Sequence, residues 1–269
     1  MITYPFTYRR PKSLSEAEAA LKGAPDAKLI AGGQTLVATM KMRLASPTIL
    51  IDIARLGELR FIRREGDTLI VGAGARHHDV ATSGDTLKAI PALAELAETI
   101  GDPAVRNMGT LGGSLANNDP AADYPAAVLA LAATITTTKR TIAADDFFQG
   151  MFQTALEDDE IVKQVAFPIP EKAAYAKFKN PASRYAIAGV FVAKGKSGVR
   201  VAVTGAGSGV FRVPEMEAAL AKDFSPDAVA NISVDAESLN SDIHASAEYR
   251  AHLVTVMAKR AVKAALERS

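Results

Sequence analysis

Apolar and polar positions in the first two thirds of the chain alternate between short β-branched runs and stretches with helical spacing. Residues 28–30, 48–53 and 68–73 read as strands, because β-branched and aliphatic side chains suit a pleated, half-buried surface. Ser13-Leu14-Ser15-Glu16 has the spacing of a capping box, with Ser13 at the N-cap and Glu16 at N3. It predicts a short helix that stops at Gly23. A second helix is expected over residues 36–42. Pro91 fits the first turn of a helix closing at Gly101. Asn118-Asp119-Pro120 supplies a cap and a proline for a helix running through an Ala/Leu-rich segment to about Ala133. Residues 134–138 and 161–167 read as strands, and Pro168-Ile169-Pro170 ends this portion.

Beyond it the texture changes. Residues 175–178, 185–194 and 199–204 look like consecutive strands, with Ser197-Gly198 as a tight turn between the last two. Helical segments follow near 215–220 and over 245–268, the latter rich in Ala, Lys, Glu and Arg. These changes place a boundary near residues 171–175. Strands and helices come in groups rather than in strict alternation, so the fold class is α+β. A chain of 269 residues has room for two modest domains.

Composition narrows the chemistry. Hydrophobic residues at 48% and charged residues at 23% are ordinary globular values, and a formal net charge of +1 gives no electrostatic case for nucleic acid. The chain has no cysteine, which excludes disulfides, thiolate metal sites, iron–sulfur ligation and cysteine nucleophiles within it. It also has no Trp, so a planar cofactor ring would meet Tyr, Phe or aliphatic side chains. The start, Met1-Ile2-Thr3-Tyr4-Pro5-Phe6, lacks the basic residues and apolar run of a secretory signal, and no apolar run is long enough to span a bilayer. The chain reads as cytoplasmic.

Two glycine-rich segments carry the strongest signal. One is Lys28-Leu29-Ile30-Ala31-Gly32-Gly33-Gln34-Thr35, leading into Leu36; the other is Gly109-Thr110-Leu111-Gly112-Gly113-Ser114. Paired glycines let successive N–H groups turn outward into a concavity that suits phosphate oxygens. A single such loop is more simply a tight turn with no ligand. Two of them, each beside a hydroxyl or amide side chain, point to a long ligand with a diphosphate gripped from two sides.

Other motifs carry less. Val201-Ala202-Val203-Thr204-Gly205-Ala206-Gly207-Ser208-Gly209 imitates a Rossmann turn, but its third glycine falls on Val210 and Pro214 interrupts the expected helix. Val71-Gly72-Ala73-Gly74-Ala75 fails the same test. His77-His78-Asp79 reads as a polar helix start rather than a metal site, since adjacent histidines diverge and no third ligand is evident; His77 could still approach a ligand. Asp119 and Asp123, four apart, can share a helical face. Asp119 is most simply a cap. Asp123 fits either a cap or a carboxylate holding ribose or ribityl hydroxyls.

Ala31-Gly32-Gly33-Gln34-Thr35-Leu36, Val105-Arg106-Asn107-Met108-Gly109-Thr110-Leu111-Gly112-Gly113-Ser114-Leu115 and Asp119-Pro120-Ala121-Ala122-Asp123 together resemble the FAD-binding medium subunit of molybdenum hydroxylases, of the carbon monoxide dehydrogenase and xanthine dehydrogenase types. The likeness extends to the Tyr-Pro-Phe start, to Asp159-Glu160-Ile161-Val162 and to Pro181-Ala182-Ser183-Arg184-Tyr185-Ala186. It implies a PCMH-like FAD-binding domain over residues 1–173, in two α/β subdomains of about 1–55 and 56–173. A smaller α+β domain over 174–269 would follow. It also implies that both glycine segments cradle the FAD diphosphate and that Asp123 is the family's FAD-contacting aspartate. Lys177 matches a lysine near the cofactor, Tyr185 an aromatic beside the isoalloxazine, and Ile161 and Val162 fall near an apolar contact. Met108, Asn117-Asn118 and Gln34 depart from commoner residues without touching the glycines, and Asn117 stays among the expected cofactor contacts.

The implied partners are a large molybdopterin-binding subunit and a small subunit with two [2Fe–2S] clusters, from which electrons would pass through this FAD to an external acceptor. No residue of this chain is then expected to act on the organic substrate. Two other readings remain: a nucleotide-binding or assembly module without redox function, and an NAD(P) dehydrogenase built on Gly205 and Gly207.

Overall fold

A computed structural model describes residues 2–196 and 198–268. Thr7–Arg9, Ile49–Asp52 and Ala27–Ile30 form a parallel three-stranded sheet in that order. Parallel neighbours need crossovers, and the helices Leu14–Lys22 and Leu36–Lys41 supply them. Leu14, Ala17 and Leu21 lie on one helical stripe and are buried against Ala27 and Ile51. Ser13 Oγ accepts from Glu16 N at 3.2 Å, and Gly23 closes the helix, both as the sequence predicts. The reciprocal half of the box is displaced: Glu16 Oε2 accepts from Lys12 N at 2.7 Å.

The second sheet has five strands, ordered Ile62–Glu65, Thr68–Gly72, Val162–Pro168, Thr134–Thr137 and Thr141–Ala143, with every pairing antiparallel. Helices between residues 77 and 130 cover it and share its core. The third sheet, Lys172–Lys179, Ala186–Gly195, Gly198–Thr204 and Phe211–Arg212, is also antiparallel. Gly195 pairs with Gly198 across the predicted turn, while Ser197 lies outside the described residues. Alternate side chains separate its two faces. Val190, Val192, Val201 and Val203 pack with the long helix Ala247–Glu267. Phe191, Ala193 and Ala202 join the core of the second sheet. The C-terminal sheet is therefore covered on both faces, and its first strands are built into the N-terminal body.

One predicted helix is relocated. Asn118 is not an N-cap: at φ 43° it closes the helix Leu111–Asn117, and its Nδ2 donates to Gly150 O at 2.8 Å and Gln153 O at 2.7 Å. Asp119 Oδ1 accepts from Ala121 N at 2.9 Å, a local turn. The next helix begins only at Tyr124 and ends at Ala130. The cause is tertiary. Thr204 Oγ1 donates to Pro120 O at 3.0 Å and Ala122 O at 2.6 Å, and Gly205 N to Pro120 O at 2.8 Å, so these carbonyls are drawn to the third sheet.

The central strand enters the second sheet through Glu160, whose side chain is buried. Its Oε1 accepts from Thr137 Oγ1 at 2.5 Å and Arg140 Nε at 3.1 Å, and its Oε2 from Arg140 Nη2 at 3.1 Å and Glu157 N at 3.0 Å. Burial pushes this carboxyl up, but the Arg140 and Thr137 hydrogen bonds outweigh it and hold the pKa at about 2. A folded-state value below the ordinary one means that the unfolded chain takes up the proton first. The stabilisation is complete above the ordinary carboxylate range and fades as pH falls toward 2. Glu160→Gln is expected to lower the unfolding free energy at pH 7 by about 2–3 kcal/mol. It should also flatten its decline between pH 5 and pH 3, as measured by urea titration at each pH.

Candidate functional site

The site lies where the three sheets meet. After Ala27–Ile30 the chain bends through Gly32 and Gly33 into the helix Leu36–Lys41. Gly33 has φ +70°, which suits glycine, and a Cβ on Gly32 would stand 2.3 Å from Met108 O and 2.7 Å from Gly109 Cα. The two glycine segments are therefore in backbone contact, and no side chain fits between them. Among the described residues, no acceptor takes the backbone N–H of Gly32, Gly33, Gln34 or Thr35. Successive free amides at a bend form an anion-binding concavity.

The second segment behaves differently. Thr110 caps the helix Leu111–Asn117, its Oγ1 accepting from Gly113 N at 3.1 Å. Leu111 N donates to Ala75 O at 3.0 Å, Gly112 N to Ala73 O at 2.8 Å and Ser114 N to Thr110 O at 3.0 Å. The amides of residues 111–114 are thus already bonded inside the chain, whereas Thr110 N, like the amides of the first segment, has no acceptor among the described residues. The glycines here serve close approach. A Cβ on Gly112 would lie 2.5 Å from Ala73 Cβ, and one on Gly109 2.5 Å from His77 Nε2. What the second segment offers the cavity is side chains: Ser114 and Asn117 are half-buried, and among the described residues neither side chain has a hydrogen-bond partner.

Between the segments opens a cleft of about 760 Å³. Lys28, Leu29, Ile30, Ala31, Gly32, Gly33, Gln34, Thr35 and Leu36 line one side. His77, Gly109, Thr110, Gly112, Gly113, Ser114, Asn117 and Asp123 line another, Ile161 and Val162 an apolar wall, and Tyr185 the mouth. Lys177 is not on the wall. It stands behind Asp123, its Nζ donating to Asp123 Oδ2 at 2.9 Å and to Thr99 O at 3.3 Å.

Asp123 is buried and held on both oxygens, since Tyr175 Oη donates to its Oδ1 at 2.5 Å. Burial pushes the Asp123 carboxyl up, while the Lys177 ammonium and the Tyr175 hydroxyl pull it the other way. Asp123 does not cap its helix through its side chain. Tyr175 was missed in the sequence. Its signal was the two-residue spacing from Lys177 along a strand, which puts both side chains on one face. Gly101, Asp102 and Asp158 also reach the cleft without a motif to announce them, as does Arg184 from within the segment 181–186.

His77 lies beneath the second segment with its ring 5.3 Å from that of Tyr124. Burial first, and the Arg106 cation second, lower its pKa to about 4, so the ring is neutral at ordinary pH. Asp79 Oδ2 accepts from Arg76 N at 3.1 Å, a capping role. Among the described residues no group of three His, Cys, Asp or Glu side chains is placed to hold a metal. Tyr185 is half-exposed and follows Arg184, which has φ 63° and donates from Nη1 to Gly101 O at 3.2 Å across the cleft mouth. Gly205 and Gly207 lie after an antiparallel strand and before a further strand, Phe211–Arg212, so the parallel crossover of a Rossmann turn is absent there among the described residues.

Comparison with known proteins agrees with this architecture. Residues 4–170 match the family model described as FAD binding domain in molybdopterin dehydrogenase, and residues 173–265 the one described as CO dehydrogenase flavoprotein C-terminal domain. The carbon monoxide dehydrogenase medium chain of Hydrogenophaga pseudoflava is 38% identical, over 100% of this chain and 99% of that one. The nicotine 6-hydroxylase medium subunit of Paenarthrobacter nicotinovorans is also 38% identical, over 95% of each chain. Among solved structures, carbon monoxide dehydrogenase from Hydrogenophaga pseudoflava superposes with a TM-score of 0.89 at 37% identity, covering 100% of this chain and 99% of that one. Quinoline 2-oxidoreductase from Pseudomonas putida 86 gives 0.90 at 30% identity, covering 99% of both chains. With both halves matched and the glycine segments meeting at one cleft, the chain belongs to the FAD-binding medium subunits of the molybdenum hydroxylase family, in its carbon monoxide dehydrogenase-like branch.

Proposed function

We propose that the cleft holds FAD, with the diphosphate against the first glycine segment. In this reading the chain is the electron-transfer subunit beside a large molybdopterin-binding subunit and a small [2Fe–2S] subunit. The four free amides of Gly32 to Thr35 carry the proposal, because an anion is the group that such a bend accepts best. The cleft also fits by size, at about 760 Å³ against the roughly 300–1,000 Å³ usual for cofactor sites. Bound there, FAD would supply the redox chemistry that carries electrons from the partner's clusters to an external acceptor.

The chain's own residues bind and orient. Ser114 and Asn117 offer side-chain hydrogen bonds along the second wall, and Leu29, Ile161 and Val162 offer an apolar surface. Lys177 and Tyr175 fix the Asp123 carboxylate, leaving lone pairs for hydroxyl donors of the ligand. Tyr185 presents an aromatic ring at the mouth. His77, neutral, keeps the second segment seated without adding charge. The proposed domain division is residues 1–173, with subdomains of about 1–55 and 56–173, followed by 174–269, and the proposed location is the cytoplasm. Among the described residues no helix is long and apolar enough to cross a membrane.

The purified complex is expected to be yellow, to show a flavin spectrum and to release FAD on denaturation. A colourless complex that takes up no added FAD would overturn the reading. Bound flavin that cannot be photoreduced and then reoxidised would instead favour an assembly module without redox function. Gly32→Val forces a side chain onto Met108 O and is expected to weaken FAD retention at least tenfold, about 1.4 kcal/mol, in equilibrium dialysis. Gly207→Ala is expected to leave FAD retention unchanged; loss of nicotinamide binding in that variant would revive the dehydrogenase alternative. Lys177→Met leaves a buried carboxylate without its cation and is expected to cost about 3–5 kcal/mol of stability by denaturant titration.

A further inference from the structure

Residues 180–185 join the strands Lys172–Lys179 and Ala186–Gly195 and form one side of the cleft mouth. Both stems of this loop are anchored. Asn180 is buried, and its Nδ2 lies 3.3 Å from His244 Nδ1. At the other stem the buried Arg250 donates from Nη1 to Ile187 O and Gly205 O, both at 2.8 Å. The tip between the stems, residues 181–185, is exposed throughout. It is also tied to itself: Asn180 Oδ1 accepts from Ala182 N at 2.9 Å and Ser183 N at 3.1 Å, and Asn180 O from Arg184 N at 2.9 Å. Such a tip moves as a unit.

Two voids border the tip. One is the cleft, and the other is a second cavity of about 330 Å³, with Ser183 and Tyr185 in the walls of both. Arg250 belongs to the wall of the second cavity, where its buried Nε has no partner among the described residues. A loop flanked by empty space has few packed contacts to lose when it shifts. Among the described residues, a single hydrogen bond ties the tip across the mouth, from Arg184 Nη1 to Gly101 O at 3.2 Å. Arg184 makes it at φ 63°, a left-handed conformation that a side-chain-bearing residue adopts at a cost.

The receiving side is fixed, by contrast. Arg106 Nη1 donates to Ile100 O at 3.2 Å and Lys177 Nζ to Thr99 O at 3.3 Å, placing cations at the carbonyl end of the helix Pro91–Glu98. The mouth therefore has one rigid edge and one edge held by a lone exposed contact.

Resting on the FAD reading above, we propose that residues 181–185 are a latch over the cleft, closed by Arg184 on the Gly101 carbonyl, and that its opening admits and releases the flavin dinucleotide. Breaking the one crossing bond frees the tip while Asn180 and Ile187 stay anchored, and the second cavity gives the tip room to swing away from the cleft. Arg184 then governs the rate of cofactor exchange more than the strength of cofactor binding, since closing retards entry and exit alike.

The test uses the purified complex loaded with radiolabelled FAD. Release is followed by chasing with unlabelled FAD, and uptake by adding the label to complex stripped of its cofactor. Arg184→Ala is expected to speed both release and uptake by about tenfold or more, with the dissociation constant little changed and the urea midpoint unmoved. Ala121→Trp adds bulk to the second cavity at a residue outside the cleft lining, and it is expected to slow both steps. Faster release without faster uptake in Arg184→Ala would overturn the latch, because a guanidinium that only attracts the diphosphate gives that pattern. Exchange unchanged in Arg184→Ala, or not slowed in Ala121→Trp, would overturn it as well. A wild-type complex that takes up no FAD would overturn the underlying FAD reading instead, and that failure shows before any variant is compared.

Discussion

The backbone contact between Gly32 and the Met108–Gly109 peptide is the constraint from which the rest follows. It joins a parallel sheet that is mostly local in sequence to a helix cap that belongs to the antiparallel sheet. A Cβ at Gly32 would meet backbone rather than a flexible side chain, so the neighbour has little room to yield. The contact sets the closing edge of the cleft. It also leaves residues 32–35 lining the cleft with backbone amides that have no acceptor among the described residues. The second segment meets the first by being rigid. The amides of residues 111–114 are tied to Ala73, Ala75 and Thr110, and His77 supports Gly109 from below.

The C-terminal sheet is part of the same device. Thr204 and Gly205 hold the carbonyls of residues 120 and 122, while Tyr175 and Lys177 hold both oxygens of Asp123. A segment expected to wind into helix is thereby held in a turn beside the cleft, with its carboxylate fixed in place. Burial and the facing cation act on Asp123 in opposite directions, so its position depends on the strand Lys172–Lys179 staying in register. This explains why a domain boundary drawn from sequence texture does not bound the site: residues on both sides of it complete one cavity.

Much of this was legible in the chain. Strands at 28–30, 48–53, 68–73, 134–138 and 161–167 could be read because their sequences are rich in aliphatic and β-branched residues, and Ser13 to Gly23 because caps are local chemistry. Thr7–Arg9, Ile62–Glu65 and Thr141–Ala143 escaped because they are largely exposed strands whose side chains show no apolar period. The residues around the cleft were found by glycine pairing, yet the pairing does not tell that the amides of Gly112 and Gly113 are bonded within the chain. Nothing in Gly112-Gly113 itself says that Ala73 will sit 2.5 Å from the missing Cβ. Tyr175 and Arg250 act through partners more than fifty and sixty residues away in sequence, and such pairings depend on register that a single chain does not display.

The charge distribution gives the site its character. The Asp123 carboxylate is engaged by its own neighbours, His77 is neutral, and Glu160 is locked by Arg140 at a low pKa. Groups so held cannot easily exchange protons with a bound molecule, whereas catalytic acids and bases are tuned to do so near the working pH. Their common effect is to fix geometry. A subunit that positions a redox group needs such stiffness, since orientation and a constant electrostatic environment are what the protein contributes to the cofactor's chemistry. Polar side-chain atoms without a partner among the described residues include Ser114 and Asn117 on the cleft wall, the buried Nδ1 of His77, and the Nε of Arg250 in the neighbouring cavity. The molecule thus separates a rigid frame from the points where it can still accept a partner, and Tyr185 stands where the two cavities meet.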